Sequence, residues 1–355
     1  SEIPAPPFEE AARAARMAEL FAETGLAIET DGVGNVVGRR RDDPDAAPLV
    51  VSAHLDTVFP PDTDVSVTRH GDILRGPGIS DDARGLATLL TLARVVQTER
   101  IATSRPIRFV ATVGEEGIGD LRGVKHLFGP EGSCRNAAGF ISLDGAGIER
   151  IVNQGLGSRR YRITATGPGG HSWVDWGTPY PLHAIMRLGA GLSDIELATD
   201  PVSTLTIARA GGGKSINAIP QNAWIEIDTR CEDSVRLDAL EGRIRGRGAE
   251  AARRDKVELE VEIVGDRPAG RTEAENDLVR AAIEATKAVG RRPTLAVSST
   301  DANVPMRLGI PALTIGCGGE AGLAHTTDEW YRNVGGADGV VRALYTLLIA
   351  ARVRG

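Results

Sequence analysis

Apolar positions recur at helical spacing from residue 8 to 24, where Phe8, Ala11, Ala12, Ala15, Leu20 and Phe21 define one face of an amphipathic helix. The short apolar run Leu49-Val50-Val51-Ser52-Ala53 reads as a buried strand, as do Ile107 to Val113 and Phe140-Ile141-Ser142-Leu143. Between the first two lies a helical stretch, Leu86 to Val96, with Leu86, Leu89, Leu90 and Leu92 on its apolar side. Strands alternating with helices predict an α/β sheet, mostly parallel and covered on both faces.

The pattern changes near residue 158. Arg160 to Thr166, Ser203 to Ala208 and Ala223 to Thr229 alternate as half-exposed strands do, and Val257 to Val264 sets Val, Leu, Val and Ile against three Glu. Pro181 to Leu192 and the charged stretch 234–254 read as helices. The order strand-helix-strand-strand-helix-strand is that of a small ferredoxin-like α+β sandwich with one open sheet. Buried-strand composition returns at Thr294 to Val297 and Ala312 to Ile315, and a last helix, Gly339 to Val353, is expected to pack on the first sheet. The expected organisation is therefore a discontinuous domain, residues 1–157 and 270–355, carrying an inserted domain at 158–269.

With 355 residues, two domains are the expectation from length as well. A net charge of -7 with both signs mixed along the chain leaves no basic face for nucleic acid; the Arg-rich stretch 243–254 alternates with Glu and Ala as a solvated helix face does. Three widely spaced cysteines, Cys134, Cys231 and Cys317, make no disulfide framework and point to a reducing cytoplasm. No apolar run reaches the roughly 18 residues of a membrane span, and Ser1-Glu2-Ile3-Pro4 has neither the charged nor the apolar region of a signal peptide.

Five acidic or imidazole side chains stand where buried strands end: His54, Asp81, Glu116, Asp144 and His325. Active sites of open α/β sheets lie beyond the carboxyl ends of the strands, and several acids with imidazoles on one such edge form a donor set for divalent ions. Asp56, two residues after His54 on an extended backbone, faces the same way and is placed to fix the His54 tautomer. Adjacent carboxylates Glu115-Glu116 repel unless a cation or proton intervenes. Taken singly, each has a plainer reading: Asp81 or Asp82 as the cap of the following helix, His171 as a turn residue after Gly-Pro-Gly-Gly, Arg230 as a surface ion pair. The shared edge argues for chemistry.

The ordered set His54-Leu55-Asp56-Thr57-Val58, Gly76-Pro77-Gly78-Ile79-Ser80-Asp81-Asp82, Gly114-Glu115-Glu116-Gly117, Leu143-Asp144-Gly145, Gly167-Pro168-Gly169-Gly170-His171-Ser172, Asn217-Ala218-Ile219-Pro220, Asp228-Thr229-Arg230, Ser299-Thr300-Asp301-Ala302 and His325-Thr326-Thr327-Asp328-Glu329-Trp330 resembles the co-catalytic dizinc exopeptidases and deacylases. That family includes glutamate carboxypeptidase, peptidase T, acetylornithine deacetylase and succinyl-diaminopimelate desuccinylase. The resemblance spans nearly the whole chain. It implies a zinc-exopeptidase-like fold with an inserted dimerisation lid, a homodimer, and two divalent ions, zinc first, with manganese or cobalt as alternatives. His54 and Asp144 would hold one ion, Glu116 and His325 the other, and Asp81 both, beside a cis Asp81–Asp82 peptide. Glu115 would be the general base, His171 of a partner subunit's lid would stabilise the oxyanion, and Asn217 and Arg230 would bind a substrate carboxylate. Arg84 stands one place later than the basic residue of members with Asp-Asp-Lys, a spacing that peptidase T-like members share.

Other motifs fall away. Gly211-Gly212-Gly213-Lys214-Ser215 lacks the earlier glycine of a phosphate loop, since position 208 is Ala, and a strand rather than a helix follows. No His-Glu-x-x-His pair exists, and Cys317 has no paired base. Trp173 and Trp176 either line a substrate pocket or pack the lid. The expectation is a hydrolase of an amide bond in a small peptide or N-acyl amino acid. A deacylase or aminohydrolase of a non-peptide small molecule is the alternative, and a non-catalytic binding protein on the same fold stands behind both.

Overall fold

The computed structural model describes residues 1–40 and 46–354. They form two compact units, Ser1–Gly155 with Gly270–Gly355, and Leu156–Ala269.

In the first unit the main sheet runs in the order Ala27–Thr30, Val36–Arg39, Ile107–Thr112, Leu49–His54, Gly139–Leu143, Ala312–Ile315, Arg150–Gly155, Gly270–Arg271. The four strands from Ile107–Thr112 to Ala312–Ile315 are mutually parallel, and pairing on either side of them begins antiparallel. The parallel strands are mostly apolar because both faces are covered. Along Leu49–His54 the side chains alternate: Leu49, Val51 and Ala53 join the core with Phe21, Leu92 and Leu347 of three helices, whereas Val50 joins Leu127, Phe140 and Met306 on the other face. Residues 49–54 are all buried, so the strand delivers His54 from a rigid support. Thr294–Ser298 differs from the expected buried strand: it pairs in parallel with Arg150–Gly155 off the main path and is half-exposed, with Leu295 open to solvent.

The first helix, Ala11–Glu23, sets Phe21 into the core with Leu20 against it, but the rest of its inward face differs from the one its apolar residues suggest. Phe8 stands outside it with φ of 77° and is exposed, and Ala11, Ala12 and Ala15 face solvent. The buried face is Arg13, Ala14, Met17 and Phe21. Arg13 tips it, because its guanidinium finds buried acceptors: Nε donates to the Ile3 carbonyl at 2.9 Å and Nη1 to that of Leu55 at 2.8 Å. A charged side chain with matched acceptors outweighs several alanines, which gain little from burial. The last helix, Gly336–Ala351, sets Ala343 and Leu347 into the core of the main sheet, and its buried Arg342 donates to the carbonyls of Gly316 and Arg150.

A second, four-stranded sheet of the first unit was not foreseen: Glu320–Gly322, Trp330–Arg332, Ile73–Arg75 and Thr68–His70, in that order and antiparallel. It joins segments more than 240 residues apart, Trp330 pairing with Arg75, and so brings the loop before Asp81 beside the loop that carries His325.

The other unit is a four-stranded antiparallel sheet, Ser203–Gly212, Asn222–Cys231, Gly157–Thr166 and Glu258–Arg267, with the helices Pro181–Ser193 and Ser234–Asp255 on one face. Tyr161, Ile163 and Ala165 face the helices, while Arg160 and Arg162 face outward and pair with Asp228 and Glu226. The alternation of Glu258–Arg267 breaks at a register shift between Ile263 and Gly265, which leaves Ile263 and Val264 exposed. No helix among the described residues is long and apolar enough to cross a membrane.

Replacing Arg13 by Leu strands buried carbonyls, the costly direction for a hydrogen bond. The R13L variant is expected to lose about 2–4 kcal/mol of unfolding free energy in urea titrations, and a loss under 1 kcal/mol would contradict this account of the helix.

Candidate metal centre

The carboxyl edge of the parallel strands gathers the side chains expected there. Ligand atoms of His54, Asp81 and Asp144 lie within 4.8 Å of one another, and so do those of Asp81, Glu116 and His325. The two sets share Asp81. Its carboxylate oxygens face different imidazoles: Oδ1 lies 3.0 Å from His54 Nε2, and Oδ2 lies 3.0 Å from His325 Nε2. The same His325 nitrogen is 3.0 Å from Glu116 Oε1. A further set, His54, Glu115 and Glu116, also converges within 4.8 Å, which places the Glu115 carboxylate beside the cluster.

Asp81 and Asp82, joined by a cis peptide, do different work. Asp81 faces the imidazoles, and Asp82 is the helix cap, accepting from the Gly85 N–H at 3.1 Å. Asp82 is fully buried and also accepts from the backbone N–H groups of His54 at 3.0 Å and Gly145 at 3.2 Å. One carboxylate thus ties the helix start to the ends of the strands that carry His54 and Asp144. A Cβ at Gly85 would meet Asp82 Oδ1 at 2.1 Å, so the cap demands glycine there. Of the two candidates for the cap of this helix, Asp82 takes the role and Asp81 does not.

Asp56 departs from expectation. Its carboxylate oxygen is 3.7 Å from His54 Nδ1, too far for a hydrogen bond, and the imidazole meets the Asp56 backbone carbonyl at 3.0 Å instead. The carboxylate is fully buried and accepts from the backbone N–H groups of Glu115 at 2.9 Å and Glu116 at 2.7 Å. Those two amides lie in the loop beyond the strand Ile107–Thr112 and need an acceptor, and a carboxylate satisfies both better than it satisfies one imidazole edge.

The electrostatics are those of an acidic cluster that wants positive charge. Burial raises the Asp144 carboxyl to about 7, aided by the charge of Asp81. Burial alone would lower His54, but its hydrogen bond to Asp81 and the charges of Asp82, Asp81 and Asp56 hold it well above the usual imidazole range. Hydrogen bonds to Asp81 and Glu116 raise His325 to about 10. His325 has φ of 66°, a backbone conformation uncommon outside glycine, which turns its ring toward Asp81. The donor set, two imidazoles and three carboxylates in two overlapping triads, fits two borderline-to-hard divalent ions.

The remaining expected residues lie on the other unit. His171 is exposed; its N–H donates to Asp175 at 2.7 Å, and its Nδ1 accepts from the Trp173 N–H at 3.2 Å, which leaves Nε2 as the N–H donor. It pairs with Ala218 across a two-residue ladder, and the Ser172 N–H donates to the Asn217 carbonyl, so His171 and Asn217 are neighbours. Arg230 is not with them. It sits at the far end of Asn222–Cys231, eight residues from Asn222 at roughly 3.3 Å each, and its Nε donates to Asp228 at 2.9 Å. Trp173 and Trp176 are exposed, and Trp176 touches Tyr180 edge-on.

Residues 50–350 match the model of peptidase family M20/M25/M40. The chain belongs to this family. A LysW-lysine hydrolase of Deinococcus radiodurans is 26% identical over 92% of this chain and 88% of its own length. An N-carbamoyl-L-amino acid amidohydrolase of Geobacillus stearothermophilus is 30% identical over 43% of this chain, and the match spans only 34% of that relative's length; a second such enzyme, of Paenarthrobacter aurescens, is matched over 22% of its length. Among solved structures, a tripeptidase of Staphylococcus aureus superposes with a TM-score of 0.80 at 22% identity, covering 99% of this chain and 95% of that one. The aminopeptidase PepT of Bacillus cereus gives 0.78 at 22%, covering 99% and 96%. These likenesses show the fold of M20/M25/M40 peptidases.

Protons held by His325, His54 and Asp144 must leave when cations arrive, since ligands bind deprotonated. The raised pKa values put these protons on the metal-free protein at pH 7, so metal affinity is expected to rise with pH between 6 and 8. Calorimetry in buffers of different ionisation enthalpy should show release of roughly two to three protons per pair of ions, one each from His325 and His54 and part of one from Asp144; no buffer dependence would contradict the assigned electrostatics.

Proposed function

We propose that this member of the M20/M25/M40 family is a metal-dependent hydrolase that cleaves an amide bond in a small peptide or N-acyl amino acid. The observation that carries the proposal is the pair of three-ligand sets sharing Asp81, with Glu115 beside them. His54 and Asp144 would hold one ion, Glu116 and His325 the other, and Asp81 both. Zinc suits the imidazoles, and the carboxylates also suit manganese or cobalt. Bound there, two such ions supply a water acidified toward neutrality and a polarised carbonyl oxygen.

The chain's own residues supply the rest. The Glu115 carboxylate takes the proton from the attacking water as its oxygen bonds the amide carbon, then delivers that proton to the departing nitrogen. Asp56, through the two backbone N–H groups it accepts, holds Glu115 and Glu116 in their places. His171 donates from Nε2 to the carbonyl oxygen as that atom gains negative charge, and Asn217 binds beside it. The Arg230 fork meets a substrate carboxylate, taking the place of part of its contact with Asp228. Arg230 stands about 26 Å along its strand from Asn222, the end that follows the ladder of His171 and Ala218, farther than a small substrate spans. Joint use of His171 and Arg230 therefore calls for two copies of the chain, which supports a homodimer with lid residues exchanged. The three cysteines are free and buried, which accords with a reducing cytoplasm.

A deacylase or aminohydrolase on the same centre is the reading to be separated from this one, since relatives matched over part of their length are named N-carbamoyl-L-amino acid amidohydrolase and succinyl-diaminopimelate desuccinylase. A panel of dipeptides, tripeptides, N-acyl and N-carbamoyl amino acids, assayed with chelated protein and after zinc, manganese or cobalt is restored, separates the two. Metal-restored release of free amine is expected, and no turnover of any amide with two ions bound would overturn the proposal. E115Q is expected to lower kcat by about 10²–10⁴-fold with metal content unchanged; retained activity would remove Glu115 as the base. R230A is expected to raise KM about tenfold or more for substrates with a free carboxylate, and to leave their amides unaffected.

A further inference from the structure

Resting on that metal-centre reading, we propose that Glu329 is the positioning residue that aims Asp81 at both ions. Glu329 is fully buried and four residues beyond His325, in a run of polar residues that gives no sign of burial. Its carboxylate accepts four hydrogen bonds, all from the segment ending in Asp81. Oε2 accepts from the Gly78 N–H at 2.9 Å. Oε1 accepts from the Ser80 N–H at 2.7 Å, the Ser80 hydroxyl at 2.6 Å and the Asp81 N–H at 3.0 Å. The Glu329 carbonyl takes the Gly76 N–H at 3.0 Å as well.

The segment 76–81 turns away from the strand Ile73–Arg75 and has no ladder of its own, so its buried N–H groups require an acceptor from elsewhere. Only an acceptor without hydrogens satisfies donors at both of its oxygens, which a carboxylate does and a carboxamide does not. Glu329 thereby locks the backbone of Asp81, and because its own chain leads from His325 through a tight turn, one side chain couples two ligand-bearing loops. Asp56 and Asp82 do the same for Glu115 and Glu116 and for His54. Glu329 differs in that its target is the backbone of the residue whose carboxylate both ion sets share, so loss of its grip has to weaken both ions together.

The test is the affinity of the metal-free full-length protein for zinc, read by competition with a chromophoric chelator, independently of turnover. In E329Q the Gln amide presents N–H to a backbone N–H of the segment. Affinity for both ions is expected to fall about 10–100-fold, the usual effect of losing a partner that orients a ligand. The control is E10Q, which weakens another buried carboxylate, the partner of Arg122, away from the Asp81 segment. It is expected to leave zinc affinity unchanged whatever it does to thermal stability. Affinity in E329Q within threefold of the parent, loss at one ion alone, or an equal loss in E10Q each overturns the assignment. Should E329Q fail to fold, S80A removes one of the four bonds, and zinc affinity must fall threefold or more for the assignment to stand. If the parent itself binds fewer than two zinc ions, it is the metal-centre reading that fails.

Discussion

Mutual repulsion among buried carboxylates is the constraint on which this site depends. Asp81, Glu116 and Asp144 converge with two imidazoles at the ends of apolar strands, and Asp82 and Glu115 crowd the same edge. Without positive charge such a cluster protonates, and the raised Asp144 and the charged His54 and His325 express that demand. Two divalent ions answer it more strongly than protons do, which links the electrostatics of the folded chain to its proposed chemistry.

Holding that cluster requires support that is itself polar. Asp56, Asp82 and Glu329 are fully buried carboxylates that bind backbone N–H groups rather than facing the ion sites. Each takes donors from a segment that ends a strand or precedes a helix, where the regular ladder stops. The parallel strands provide rigidity behind His54 and Asp144, while these three acceptors provide it in the loops. The unit Leu156–Ala269 shows a contrasting use of charge: the face of its sheet away from the helices carries Arg160, Arg162 and Arg230 against Asp228 and Glu226, exposed enough that each pair contributes little to stability.

Much was legible in the chain itself. Short apolar runs followed by His, Glu or Asp read as buried strands with side chains gathered beyond their ends, so the central parallel strands and three of the side chains that gather there follow from residues 49–54, 107–116 and 139–144. Period-two alternation likewise marked the strands of the open sheet. The face of the first helix was less legible: Ala11, Ala12 and Ala15 mislead because Ala is nearly indifferent to burial, whereas Arg13 is buried by acceptors such as the Leu55 carbonyl that lie far away in sequence. Thr294–Ser298 has a core composition and yet lies off the main path, because composition carries no information about a strand's place in a sheet.

The sequence by itself determined that His54, Glu116 and Asp144 end or follow apolar strands, and its ordered motifs carried the resemblance that implies the full donor set, with Asp81 and His325 supplied from loops. Only the tertiary structure decided how neighbouring acids divide the work. Asp81 faces the imidazoles while Asp82 caps a helix, and the Asp56 carbonyl rather than its carboxylate meets His54. Glu329 reaches back almost 250 residues to grip the Asp81 segment. The physical reason is the same in each case: a carboxylate's role is set by which N–H groups lack a partner once the chain has folded, and those donors come from segments that are neighbours only in space.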